Sequence, residues 1–197
     1  SYSFCTLLNK QKKKTRFINR THTQTMASIV VKGIELVSPN PSKYVGEFQW
    51  KFFVECFEQL PDEMEIKFVW VGSADSEEHD QELDESLVGP LEVGMNEFVI
   101  EHDAPNHKLI PAEDLLGVTI IFMSFSYNSQ EFWRAGYYVN VSFVEDKLNI
   151  DPDVSNVDVN LLARNIFLKK PLFTAEQIDW GTNAVPEDRE DEPAVGV

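Results

Sequence analysis

Cysteine is almost missing from this 197-residue chain: Cys5 and Cys56 are the only two, far apart in sequence. A disulfide-stapled secreted scaffold or a zinc site built on Cys pairs needs more, so both are excluded. The folded part is expected to hold one free thiol in a reducing, intracellular setting. Long apolar runs are lacking too. The best, Leu115 to Phe125, is broken by Gly117, Thr119 and Ser124 and falls short of the ~20 residues of a spanning helix. Nine Gly and ten Pro are too few for collagen or a low-complexity chain, whereas 43% hydrophobic residues suffice for one sizeable core. Positive charge is scarce: six of the 17 Lys and Arg precede Met26, in a stretch without an acid, leaving 11 to face all 33 Asp and Glu. Such a chain repels nucleic-acid phosphate and anionic lipid and steers cationic partners toward itself.

Catalytic constellations are also missing. The histidines, His22, His79, His102 and His107, have no i, i+4 partner and no nearby nucleophile, and read as solvated surface side chains. No phosphate-cradling loop, dinucleotide fingerprint or nucleophile elbow occurs. No catalytic residue, metal or cofactor is therefore expected. Asn140-Val141-Ser142 is formally a glycosylation sequon, read as a chance occurrence within a strand.

What is present is a succession of strand patterns rich in Val, Ile, Phe, Tyr and Trp: Ile29–Val37, Glu47–Phe57, Glu65–Val71, Leu83–Val88, Glu97–His102, Gly117–Tyr127 and Glu131–Phe143. Turn residues separate them, and about seven strands imply an all-β sandwich with short helical turns in the connections. Pro111–Leu116 suits one helical turn, and Leu161, Leu162, Asn165 and Ile166 fall at helix-like intervals within Val159–Phe167. One domain over residues 26–180 is expected. The basic segment 1–25 reads as lying upstream of a natural start at Met26, a nuclear-import tract or a mitochondrial presequence being the alternatives. Residues 181–197, with the run Glu187-Asp188-Arg189-Glu190-Asp191-Glu192, read as a disordered acidic tail.

Two features ask for a role. The acidic run Asp75–Glu85 suits recognition of Lys and Arg, or a plain solvated loop; calcium binding is the alternative, against which the EF-hand spacing and its loop Gly are missing. The strand Gly117–Phe125 is apolar on both parities: Val118, Ile120 and Phe122 on one, Ile121, Met123 and Phe125 on the other. A sandwich strand usually shows one face to water, so the second face is either covered or binds. With Arg, Tyr and carboxylates beside it, it has the make-up of a protein interface.

At this point the sequence resembles the anti-silencing-function chaperones of histones H3 and H4. The matching blocks are Val71-Gly72-Ser73-Ala74, Asp80-Gln81-Glu82-Leu83-Asp84, Leu87-Val88-Gly89-Pro90, Asp103-Ala104-Pro105-Asn106, Leu109-Ile110-Pro111, Gly117-Val118-Thr119, Gln130-Glu131-Phe132 and Arg134-Ala135-Gly136-Tyr137-Tyr138-Val139-Asn140, followed by Arg164-Asn165-Ile166 and Trp180. The resemblance implies an immunoglobulin-like β-sandwich without catalytic activity: a monomeric, nuclear protein with some cytoplasmic pool. It would bind one H3–H4 dimer, cover the surface two H3 chains use to join, and serve nucleosome assembly and disassembly. It implies no direct contact with nucleic acid or membrane; a calcium-dependent membrane-binding sandwich is the alternative from another class.

By position, the resemblance assigns Val71, Asp80, Asp114, Val118, Ile120, Arg134 and Tyr138 to histone H3. Ile120, buried against an H3 helix, would contribute ~1.5–3 kcal/mol, while Asp80 and Asp114 meet basic groups and Arg134 a carboxylate. It assigns Pro171, Leu172, Phe173 and Thr174 to the H4 tail, added as a strand. Leu172 stands where the family usually has Arg, and Ala175-Glu176 where it has Arg-Phe. A third surface, Val54, Asp62, Glu63, Met64 and Asp84, with the edge Asp84–Val88, would take short basic motifs of larger histone-chaperone complexes.

Overall fold

The structure is a computed structural model describing residues 27–144 and 157–181. Among these residues ten strands form two sheets: β1 Ile29–Leu36, β2 Ser42–Lys43, β3 Phe48–Cys56, β4 Met64–Trp70, β5 Gln81–Val88, β6 Gly94–His102, β7 Gly117–Tyr127, β8 Gln130–Phe143, β9 Leu162–Ile166 and β10 Leu172–Ala175. The smaller sheet runs β1-β3-β6 and the larger β2-β9-β8-β7-β4-β5. The 14-residue β8 is long enough to serve two partners in turn: β10 along residues 133–136 and β9 along 139–143.

Strict alternation builds the core. Phe48, Trp50, Phe52, Val54 and Cys56 of β3 face Met64, Ile66, Phe68 and Trp70 of β4, with Ile121, Met123, Phe125 and Tyr127 of β7 completing the layer between the sheets. Aromatic edges lock it: Phe52 meets Phe68 at 6.1 Å and Phe125 at 5.6 Å between ring centroids. Cys56 is a free, buried thiol whose Sγ donates to the Glu58 carbonyl at 2.9 Å.

Two sequence expectations need correction. The helix-like interval in Val159–Phe167 is a 3-10 turn, Val159–Leu161, followed by β9, because Leu162, Arg164 and Ile166 alternate toward the interior. Arg164 hid that alternation by being charged: it is 0% exposed. His102 is no surface histidine. Its ring is buried against Phe48 at 4.8 Å and Phe68 at 4.5 Å, with Nδ1 3.0 Å from the Asp103 carbonyl and Nε2 buried without a partner. The segment 1–25 and the acidic run after Gly181 lie outside the described residues.

Candidate protein-binding surfaces

The outer face of the larger sheet gathers most of the residues assigned to H3. Because Ile121, Met123 and Phe125 point inward, Val118, Ile120, Phe122 and Ser124 point outward, in register with Asn140, Tyr138, Gly136 and Arg134 of β8. On the other side, Val71 N donates to the Ile120 carbonyl at 3.0 Å. Val118 is 51% exposed and Ile120 only 1%.

Ile120 is thus already out of water, without belonging to the core between the sheets. The transfer free energy expected of it on binding has mostly been gained in folding, since that gain scales with the area removed from water. Val118 is the most exposed apolar side chain on this strand's outer face, with the half-buried Phe122 beyond Ile120.

Beside them, Phe122 lies across Gly136, where a built Cβ would come within 2.8 Å of the ring. Arg134 stands over the same ring at 5.9 Å and pairs with Glu131, Nη2 to Oε2 2.6 Å. The carboxylate expected from a partner is therefore supplied at present by Glu131. The sequence places Phe122 on the apolar parity with Val118 and Ile120 but assigns it no contact, and it does not mark Glu131; their cross-strand neighbours Gly136 and Arg134 bring both into this surface.

The acidic rim is fixed by its own hydrogen bonds. Asp80 Oδ1 accepts from Gly72 N at 3.2 Å, closing the loop that precedes β5. Gly72 is required there, because a Cβ would lie 1.9 Å from the His79 carbonyl oxygen. Burial pushes the Asp80 carboxyl above its ordinary value, partly offset by the Gly72 bond. Gln81 and Asn106 exchange two bonds, Nε2 to O at 3.0 Å and N to Oε1 at 2.7 Å, tying this loop to the one carrying Asp114. Asp114 ends the 3-10 turn Ala112–Asp114 and is half-buried, as is Tyr138.

Carboxylates of the acidic run are engaged by the chain's own groups. Asp80 turns to Gly72, while Glu82 and Glu85 hold Lys67 Nζ at 3.2 and 2.8 Å. Among the described residues no group of three or more His, Cys, Asp or Glu is arranged to hold a metal.

The strand assigned to the H4 tail forms a second surface. β10 pairs only with β8 among the described residues, leaving its other edge free; Phe173 is 69% exposed, Pro171 and Thr174 are exposed and Leu172 is half-buried. Between the two sheets on this side, a cleft of about 260 Å³ opens, lined by Ile29 and Val31 of β1, Trp133, Ile178 and Trp180.

The third set of residues divides. Asp62 and Glu63 are exposed, and Gly89 lets their turn close onto the end of β5, a Cβ there lying 3.0 Å from Glu63 Cα. Asp84, on the inward face of the edge strand β5, is half-buried and accepts from Ser86 Oγ at 2.6 Å. Val54 and Met64 do not belong here: both are 0% exposed and pack the core between the sheets, so neither offers area to a partner.

A family profile described as ASF1 like histone chaperone matches residues 26–181. Among curated relatives, proteins named "Histone chaperone ASF1" are 43% identical over 155 residues in Candida albicans (79% of this chain, 62% of the relative) and 41% over 170 in Eremothecium gossypii (86% and 61%). In Gibberella zeae the identity is 40% over 159 residues (81% and 56%). The match thus spans only 56–62% of those three relatives' length. From these matches, together with the all-β fold, we conclude that the chain belongs to the ASF1-like histone chaperone family.

Proposed function

We propose that this protein is a histone chaperone that holds one H3–H4 dimer non-covalently, shields the surface two H3 chains would share, and hands histones over during nucleosome assembly and disassembly in the nucleus, with some cytoplasmic pool. The observation that carries this reading is the outer face of β7 and β8. An apolar strip of Val118 and Phe122 runs between acidic groups, Asp80 and Asp114, and the Arg134–Glu131 pair. A basic helix with an apolar stripe fits that pattern, the charges steering encounter and the strip supplying the desolvated centre.

The free edge of β10 would take the H4 tail as an added strand, main-chain bonds holding it and the neighbouring cleft receiving an apolar side chain. Asp62, Glu63 and Asp84, with the β5 edge, would receive basic motifs of larger chaperone complexes. Binding and shielding need no catalytic group.

The test is co-elution of the full chain with a recombinant H3–H4 dimer at 0.5 M salt, where the screening length is about 4 Å and generic attraction is suppressed. A discrete complex lost in Val118→Arg supports the reading. Equal binding by both proteins removes β7 as the histone site, and no complex with the wild type removes the function.

A further inference from the structure

β10 is poorly held by its own contacts. It makes four register pairs with β8, from Leu172–Gly136 to Ala175–Trp133, and three of its four side chains are exposed. Little apolar burial therefore keeps it in place, and a strand so exposed frays unless something downstream stops it.

The stop is built into the next five residues. Glu176 N donates to the Phe132 carbonyl at 2.9 Å. Gln130 Nε2 donates to the Asp179 carbonyl at 3.3 Å while Asp179 N donates back to Gln130 Oε1 at 3.4 Å. Trp180, 6% exposed, then packs 5.0 Å from Phe132 and 5.7 Å from Tyr127 between ring centroids. All these partners lie at the β7–β8 hairpin, so the chain after β10 is fastened to the strand that β10 itself pairs with. Trp180 also walls the cleft beside β1.

We propose that Trp180 is a positioning residue for strand capture: it acts through β10, holding that strand's free edge in order so that a guest strand meets a formed template. This rests on the strand-capture reading above. An edge ordered in advance spares the guest the entropy of ordering it, which is the usual route by which preorganisation raises affinity.

The experiment uses the full chain, a synthetic peptide of the H4 C-terminal tail, and an H3–H4 dimer whose H4 lacks that tail. Trp180→Ala is expected to weaken peptide binding at least tenfold while dimer affinity stays within twofold, with faster amide exchange at Leu172–Glu176. Trp180→Phe should restore most of the peptide affinity, and Gln130→Ala, which leaves the aromatic packing, should show a smaller loss of the same kind. Peptide binding unchanged in Trp180→Ala overturns the proposal. Equal loss of peptide and truncated dimer also overturns it, since Trp180 then serves stability in general. If the wild type does not bind the peptide, the strand-capture reading itself fails.

Discussion

Arg164 stacks over Phe48, its guanidinium carbon 3.4 Å from the ring centroid, while its nitrogens donate to Ser42 Oγ and the carbonyls of Tyr44, Gly46 and Glu47 at 2.5–3.1 Å. A fully buried cation thus takes its neutralisation from an aromatic face and backbone oxygens. Burial pulls its pKa down to about 10, so it stays charged at neutral pH. It staples the turn after β2 to β9.

Replacing Arg164 by Ala strands several buried acceptors at once, each costing about 1–3 kcal/mol. A total loss of about 3–5 kcal/mol is expected in urea unfolding, as a lower midpoint at unchanged slope. Arg164→Lys should recover only part, because an ammonium cannot reproduce the planar fork. A Lys variant as stable as wild type would show that charge alone suffices.

The two outward residues of β7 should respond differently. Val118→Arg leaves the folded state nearly untouched, because the side chain is half in water, and should weaken H3–H4 binding at least a hundredfold. Ile120→Arg puts a charge where there is no exposed area and should lower stability by about 3 kcal/mol or more. Thermal melts beside binding curves separate the two. Equal stability of both variants would mean Ile120 is open to solvent after all.

Gly136 and Phe122 are expected to be coupled. Gly136→Ala forces the Phe122 ring to move and should cost about 1–3 kcal/mol. With Phe122→Leu already in place, the same change should cost much less, and a double-mutant cycle reads the difference. Additive effects would mean the ring moves aside freely.

His102 predicts an acid-side loss of stability. Burial, first among its influences, holds its pKa below the ordinary 6.5, against smaller opposing effects of the Asp103 bond and the Asp84 charge and a further lowering by Arg164. The unfolded chain then takes up a proton near pH 6.5 that the folded chain refuses. The contribution of neutral His102 is whole above 6.5 and declines as pH falls through it toward the lower folded value, by at most about 1.4 kcal/mol per pH unit. His102→Phe should lose less melting temperature than wild type between pH 7.5 and 5.5. Parallel losses would assign the acid sensitivity elsewhere.

Much of this fold could be read from residue order because alternation is a local property. The predicted strand Gly117–Tyr127 coincides with β7, and the predicted Glu47–Phe57 and Glu65–Val71 lie within one residue of β3 and β4 at each end. β9 was hidden because Leu161, Leu162, Asn165 and Ile166 also satisfy helical spacing and the buried Arg164 reads as polar. For the candidate surfaces, the double apolar character of β7 was visible but not which residue remains in water. Ile120's cover depends on neighbours such as Val71 and Tyr138, which lie far off in sequence. Likewise Val54 and Met64 could be matched by position, but only the sheet pairing shows that they point inward.

The edge of the larger sheet ends in β5, where Glu82 and Glu85 straddle Lys67 and Asp84 turns its carboxylate inward. Two copies of this chain approaching along that edge would set the exposed Glu82 and Glu85 of one against those of the other, with a single Lys67 on each side to relieve them. Like-charge repulsion then forbids the zipper that a bare strand edge invites. On the reading proposed for this edge, discrimination between guests and resistance to aggregation become one property: the acids that would attract a cationic strand also keep the protein from polymerising with itself.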